Sequence, residues 1–271
     1  MSDANTAAHP ARLWQRHTLT EKLIRTAFWL GIGIAVALSL QHINVIWEFL
    51  WDAPEQMLDM VQRMYPPDYA YYRLEVHAAL LETFHIATLG TLFALVAALP
   101  LSILAAHNLT PNRALNFLAK TLLVASRSVN SLVWALLFIA IFGPGALAGT
   151  VAIACRSVGF IGKLLGEALE EVPRGSIEAL KAAGATQSSQ ILYGYWPAVK
   201  PAFWSIMLLR WDINVRESSV LGLVGAGGIG MIMQSAIELF EWDRVAVILL
   251  TIFAIVVIAE IVITYFRRRL I

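Results

Sequence analysis

Apolar residues fall in six long runs separated by short polar or charged stretches. The runs cover about Ala27–Trp47, Ala78–Ala106, Phe117–Phe142, Leu147–Leu165, Ala198–Leu223 and Val245–Phe266. A helix needs roughly 20 mostly apolar residues to cross a bilayer. Runs this long exclude buried strands, and a chain in lipid must satisfy its own backbone hydrogen bonds, so helices are predicted. The pattern reads as an all-α integral membrane protein with about six transmembrane helices. A tail over 1–26 precedes a membrane domain over 27–271, with a polar loop at about 168–197.

Composition agrees. The chain is 58% hydrophobic and 14% charged, where soluble domains are about 45–50% apolar and about 25% charged. A soluble chain of this kind would expose large apolar patches. A net charge of +1 gives no reason to expect a nucleic-acid partner. Cys155 is the single cysteine, and no Cys/His cluster has zinc spacing, so neither metal nor cofactor is expected. The polar N-terminal residues run into the first apolar stretch without a small-residue cleavage site, so that stretch is read as retained.

Basic residues cluster on one side of a six-span arrangement: Arg12, Arg16, Lys22 and Arg25; Arg113 and Lys120; Lys163, Arg174, Lys181 and Lys200; Arg267, Arg268 and Arg269. Lys and Arg mark the cytoplasmic side, so both termini are placed in the cytoplasm and the chain in a plasma membrane. Glu48, Asp52, Glu55, Asp59, Asp68 and Glu75 fall on the outer side. The outer loop near Glu48–His77 is rich in Trp and Tyr and can hold a short amphipathic helix. It reads as a membrane-anchoring belt or as a partner site.

The polar stretch Glu167–Pro201 predicts two short helices. Gly175-Ser176 offers an N-cap, Ile177–Ala183 suits a helix, and Gly184 suits a left-handed C-cap. A second helix is predicted over about Gln187–Tyr193, before Pro197. The element reads as an amphipathic connector or as a helix that docks in a groove of a cytoplasmic partner. Glu178-Ala179-Leu180, then Gly184 and Pro197, resembles the EAA loop of ABC importer permeases. Leu180 stands in place of the third-position alanine, Gly194 in place of an isoleucine, and Trp196 in place of a leucine. The segments RSVNSLVWA (Arg127–Ala135), GKLLGEALE (Gly162–Glu170) and LRWDINVRESSVLGLVGAGGIG (Leu209–Gly230) are similar to phosphonate-type permeases in particular.

The resemblance implies a type I importer permease fold and a pore subunit rather than an enzyme. It implies two copies of the chain, two cytoplasmic ATPase subunits and an external solute-binding protein, with alternating access as the mechanism. The implied cargo is phosphonate, or phosphite or phosphate. Glu178, Ala179, Gly184 and Pro197 are the implied ATPase-coupling residues. The chain has no G-x-x-x-x-G-K-[ST] motif of its own.

Gly225, Gly227 and Gly230 have the G-x-G-x-x-G spacing of a dinucleotide loop. Such a loop needs a preceding strand within a β-α-β unit, whereas a membrane helix precedes this one. Close packing and a break in the helix are the better reading. The turn Gly225, Gly227, Gly228 is expected to serve a translocation path or to act as a hinge, followed by a short helix over Ile229–Phe240. Arg127, Asn130, Arg156, Arg210, Asp212, Asn214, Arg216 and Glu217 lie in or beside spans, where charge is costly. They read as a salt-bridge network or as an anion passage, with Arg127, Asn130, Asn214 and Arg216 the chosen path residues and Ser218 and Ser219 as added hydrogen-bonding groups. A rival reading is a self-contained secondary transporter or membrane-embedded enzyme using Glu82 and His85, three positions apart on one helical face.

Overall fold

The computed structural model describes residues 19–43 and 47–270. Arg12 and Arg16, and the side chains of Arg268 and Arg269, lie outside the described residues. Among the described residues the structure is helical, with no strand. The chain divides into two units, Met1–Asp59 and Met60–Ile271.

The first unit holds α1 (Leu19–His42) and most of α2 (Trp47–Arg63). The helix begins at Leu19, inside the stretch read as a tail to residue 26. Glu21, Lys22 and Arg25 are good helix formers and extend the apolar run backwards by about two turns. α2 is amphipathic. Trp47, Leu50, Trp51, Pro54, Leu58 and Val61 share one face, and Glu48, Asp52, Glu55 and Asp59 share the other. The stretch thus forms the amphipathic helix that its sequence allows.

The second unit is built on a long rod. α3 (Tyr69–Tyr71), a π-helical turn (Tyr72–Val76) and α4 (His77–Ala105) run together as 37 residues, about 55 Å at 1.5 Å per residue. α5 (Arg113–Ser128) and α6 (Ser131–Phe142) follow, then α7 (Ala146–Glu170) and the short α8 (Arg174–Ala182). α9 (Gln187–Gln190) passes through a π-helical turn (Ile191–Tyr195) into α10 (Trp196–Leu221). A 3-10 turn (Gly222–Val224) leads to α11 (Ile229–Glu238), and α12 (Trp242–Leu270) closes the chain. Among the described residues, five helical stretches are long and apolar enough to cross a membrane, and six if α5 and α6 count as one.

Three expectations need correction. The third span is not straight: α5 and α6 meet at 90°. Val129 and Asn130 take extended backbone, and the Asn130 carboxamide oxygen accepts from the Leu132 N–H at 3.1 Å, capping α6. The helix that carries the EAA-like residues starts at Arg174 with Pro173 as its N-cap; the Ser176 hydroxyl donates back to the Pro173 carbonyl at 3.0 Å instead of capping. Gln187–Tyr193 is not a separate short helix but the first turns of a helix that passes through the π-helical turn Ile191–Tyr195 into α10, with Pro197 at the second position of α10.

α4 and α7 pack through small residues, with Gly90 of α4 against Thr150 and Ile153 of α7, and Gly166 of α7 against Ser102 and Ala105 of α4. A methyl on Gly90 would sit 2.7 Å from Ile153. Without a hydrophobic drive between helices in lipid, such close backbone approach supplies the packing energy.

The two ends of this unit differ. At one end the α4–α5 connection meets the end of α7 and the start of α9. His107 N–H donates to Glu170 at 2.9 Å, Asn108 to the Leu169 carbonyl at 2.9 Å, and Gln187 to the Leu109 carbonyl at 3.0 Å. At the other end Arg244, at the start of α12, lies 3.9 Å from Asp68 and stacks over Tyr71 at 4.8 Å. α10 therefore rises from the first end, the glycine segment and α11 continue away from it, and α12 returns.

Candidate functional site

The elbow between α7 and α9 carries the first group of predicted residues. α8 is held to the bundle by Ile177, which is buried with Tyr195, Val199 and Phe203. Glu178 and Ala179 face outward and are exposed, as are Gly184 and Pro197. Gly184 has φ +78°, and its N–H donates to the Lys181 carbonyl at 2.9 Å while Ala185 N–H donates to Leu180 at 3.0 Å. That closure of the last helical turn needs a residue free to adopt left-handed backbone. A cavity of about 320 Å³ beside α8 is lined by His107, Glu170, Arg174, Glu178, Lys181 and Tyr195, among others.

Two departures from the EAA pattern explain each other. A methyl on Gly194 would sit 2.6 Å from Ile177 and 2.9 Å from Leu180. The glycine leaves room for Ile177 first and for the larger Leu180 beside it.

The second group surrounds a cavity of about 450 Å³ between α5, α7 and α10, lined by Val124, Arg127, Ser128, Arg156, Phe160, Arg210, Ile213 and Glu217. Arg210 is nearly inaccessible, at 2% exposure. Its Nε–H donates to the Ser157 hydroxyl at 2.8 Å, its Nη2 meets Glu217 Oε2 at 3.2 Å, and Phe160 lies 5.2 Å beneath the guanidinium. Arg156 Nη1 meets Glu217 Oε1 at 2.9 Å and donates to the Ser131 hydroxyl at 3.0 Å. Arg127 is exposed at the rim.

The other path candidates lie elsewhere. Asn130 is the α6 cap described above. Asn214 is wholly buried, and its amide donates to Thr91 at 2.7 Å and Ser157 at 3.1 Å. It ties α10 to α4 and α7. Arg216 pairs with Asp212 on its own helix and with Glu260 of α12 at 3.1 Å. Ser218 and Ser219 donate to carbonyls of Val215, Ser218 at 2.9 Å. His85 is exposed, and no metal-holding cluster of His, Cys, Asp or Glu occurs among the described residues. Asn214→Leu is expected to cost about 1–3 kcal/mol by leaving Thr91 and Ser157 short of a partner in an apolar interior. A lowered thermal midpoint of the detergent-solubilised protein would register it.

The cavity pairing was only half legible. Arg210 and Glu217 are seven positions apart, two helical turns, so they share a face of α10. Their meeting with Arg156 depends on the relative depth of α7 and α10, which spacing does not contain. Ser157 and Phe160, which fix Arg210, carry no sequence signal beyond being one and four positions after Arg156.

The glycine segment forms a tight turn rather than a nucleotide loop, since a helix precedes it. Gly225, Gly227 and Gly228 have φ +93°, +89° and +73°. Gly225 accepts from the Gly145 N–H at 2.9 Å, and Ile229 N–H donates to the Thr83 hydroxyl at 2.7 Å. The turn is thereby wedged between α4 and the start of α7. Gly222 and Gly230 touch each other across it. α11 then forms over Ile229–Glu238, close to the predicted Ile229–Phe240.

Residues 98–271 match the family model described as binding-protein-dependent transport system inner membrane component. The phosphite transport system permease protein PtxC of Stutzerimonas stutzeri is 38% identical over 195 residues, covering 72% of this chain and 70% of the relative. The phosphate-import permease protein PhnE of Mycolicibacterium smegmatis is 33% identical over 241 residues, 89% of this chain but 45% of that longer protein. Among solved structures, an inward-facing MetNI methionine ABC transporter superimposes with a TM-score of 0.63 at 20% identity, over 72% of this chain and 96% of that one.

Proposed function

We propose, from the premise that this chain belongs to the family of binding-protein-dependent transport system inner membrane components, that it moves a phosphorus oxyanion across the membrane by alternating access. It is the permease subunit of an ABC importer and resides in the inner membrane. Relatives named for phosphite and phosphate transport support the cargo class. So does a cavity that concentrates guanidinium groups, whose planar forks suit tetrahedral oxyanions.

The observation that carries the reading is α8: a short, separate helix at one end of the bundle, anchored by Ile177 and presenting Glu178 and Ala179 outward. In this reading that end faces the cytoplasm. Glu178, Ala179, Gly184 and Pro197 form the surface on which an ATPase subunit docks. Two copies of the chain enclose the pore, two ATPases drive it, and a solute-binding protein delivers cargo outside. ATP binding closes the ATPase pair, the α8 helices move together, and the pore opens outward; hydrolysis returns it inward. Both chain termini lie on the cytoplasmic side. For the C-terminus the return of α12 supports this, since 26 residues from Trp242 to Arg267 span about 39 Å.

Arg127 and Asn130 line the path at the α5–α6 bend. Asn214 and Arg216 serve it from behind by fixing α10. Gly225, Gly227 and Gly228 make the turn that closes or opens it.

The test is uptake by proteoliposomes holding the permease, its ATPase and its binding protein, with phosphite, phosphate and methylphosphonate as probes. At least one anion is expected to accumulate only with ATP and only with the ATPase present. Uptake by the permease alone, without ATP, would overturn the reading.

A further inference from the structure

The α5–α7–α10 cavity holds a feature that passage alone does not require. Arg127, Arg156 and Arg210 line it together with one carboxylate, Glu217. Three guanidiniums against one carboxylate leave two positive charges in excess. Glu217 divides its oxygens, Oε1 to Arg156 at 2.9 Å and Oε2 to Arg210 at 3.2 Å. Each arginine thus has a single contact with it rather than a two-pronged one. Such a contact is weaker and more easily exchanged than a bidentate pair.

The three arginines differ in mobility. Arg210 is fixed by Ser157 and Phe160, and its side chain is only 3% exposed. Arg156 and Glu217 are half-buried and reach the cavity. Arg127 is exposed and has no ion-pair partner among the described residues. One arm is rigid, one adjustable and one unoccupied, and the group between them carries the same charge sign as the cargo and, like it, offers oxygens that pair with guanidiniums.

We propose that Glu217 is a built-in competitor for the transported anion. Its carboxylate pairs with Arg156 and Arg210 between passages. A tetrahedral phosphorus oxyanion displaces it on entry, taking up those two guanidiniums and Arg127, and Glu217 displaces the anion in turn on exit. This rests on the importer reading above. The physical need is plain. Three uncompensated arginines in a low-dielectric span would be costly to insert, and if they closed on an oxyanion they would hold it too tightly for conduction. An internal carboxylate answers both problems, because its contacts are lost as the cargo's are gained.

The experiment uses the assembled importer, with inorganic phosphate and phosphite as probes. Glu217→Gln removes the competitor. Without binding protein, the permease–ATPase complex carrying it is expected to bind phosphate about tenfold more tightly, the effect of losing a contact worth about 1.4 kcal/mol. With binding protein, uptake by this variant is expected to show a lower KM and a kcat reduced by about tenfold. Structural damage alone would not tighten binding. Glu217→Asp keeps the charge but is too short to reach both arginines, and is expected to bind phosphate more tightly than wild type even if Glu217→Gln fails to assemble. Arg127→Gln, which has no internal partner to disturb, is expected to assemble normally and lose uptake by about tenfold. Wild-type phosphate affinity in the Glu217 variants, or wild-type uptake in Arg127→Gln, would overturn the proposal while leaving the importer reading intact. A wild-type complex that carries none of phosphite, phosphate and methylphosphonate with ATP would overturn both.

Discussion

Gly227→Val is expected to abolish uptake. Two separate costs fall on this position. Its φ of +89° is left-handed backbone, which costs an L-residue about 1–2 kcal/mol and a β-branched one more. A Cβ there would also lie 2.7 Å from Ala146 N, 2.9 Å from Ala146 Cα and 2.9 Å from a Glu82 carboxylate oxygen. Two of those atoms are backbone at the first turn of α7 and cannot swing away, so overpacking adds about 1–3 kcal/mol. Together these make roughly 2–5 kcal/mol against the observed turn, a shift of about 30-fold to several thousandfold in its population. Two controls separate the terms. Gly143→Ala carries only the backbone cost, since φ is +83° with nothing within 4 Å. Gly175→Ala carries neither. The expected order of uptake is Gly175→Ala near wild type, Gly143→Ala reduced, Gly227→Val lost. Protein level and ATPase co-purification are measured alongside. Uptake retained by Gly227→Val at normal protein level would show that the close approach of this turn to α7 is dispensable.

The membrane helices were legible because length and hydropathy suffice for them: α4, α7, α10 and α12 begin within three residues of their apolar runs. The bend between α5 and α6 was hidden because no Gly or Pro marks it. Val129 and Asn130 turn the chain with ordinary extended backbone, and the only clue was Asn130 directly before an apolar run, a capping residue type. The continuity of Gln187–Gln190 with α10 was hidden for the opposite reason. Pro197 looked like a stop, yet the helix runs through it. The π-helical turn Ile191–Tyr195 absorbs the change in register before it.

For the site, residue type and approximate depth could be read, but not partnership. Asn214 and Arg216 looked like path residues because polar groups in lipid are costly. The structure gives each of them internal partners, which answers the same cost without any ligand. Arg156, Arg210 and Glu217 were visible as charges, yet nothing in one helix states what a neighbouring helix presents at the same height. Gly184 and Gly227 were readable because their demand is local: a left-handed turn selects glycine whatever lies around it.

Glu178→Arg is expected to uncouple the chain from its motor while leaving the fold in place. Glu178 is exposed on α8, outside the Ile177 contact that anchors that helix. A substitution on such a surface changes stability by no more than about 0.5 kcal/mol. At a docked surface the effect is far larger, because reversing a charge that a partner has desolvated costs about 2–5 kcal/mol. The permease is therefore expected at its normal level in the membrane, with ATPase recovery on co-purification down by about 30-fold or more and uptake lost. Glu171→Arg supplies the control: it makes the same charge change at the same end of the bundle, at an exposed residue just past α7 and off α8. If attraction between a charged end and the ATPase were all that mattered, the two variants would behave alike. Loss confined to Glu178→Arg assigns the docking to α8 itself, since only there does the altered side chain lie within the contact. Equal ATPase recovery from both variants would remove α8 from the coupling path and, with it, the route by which ATP hydrolysis reaches the glycine turn.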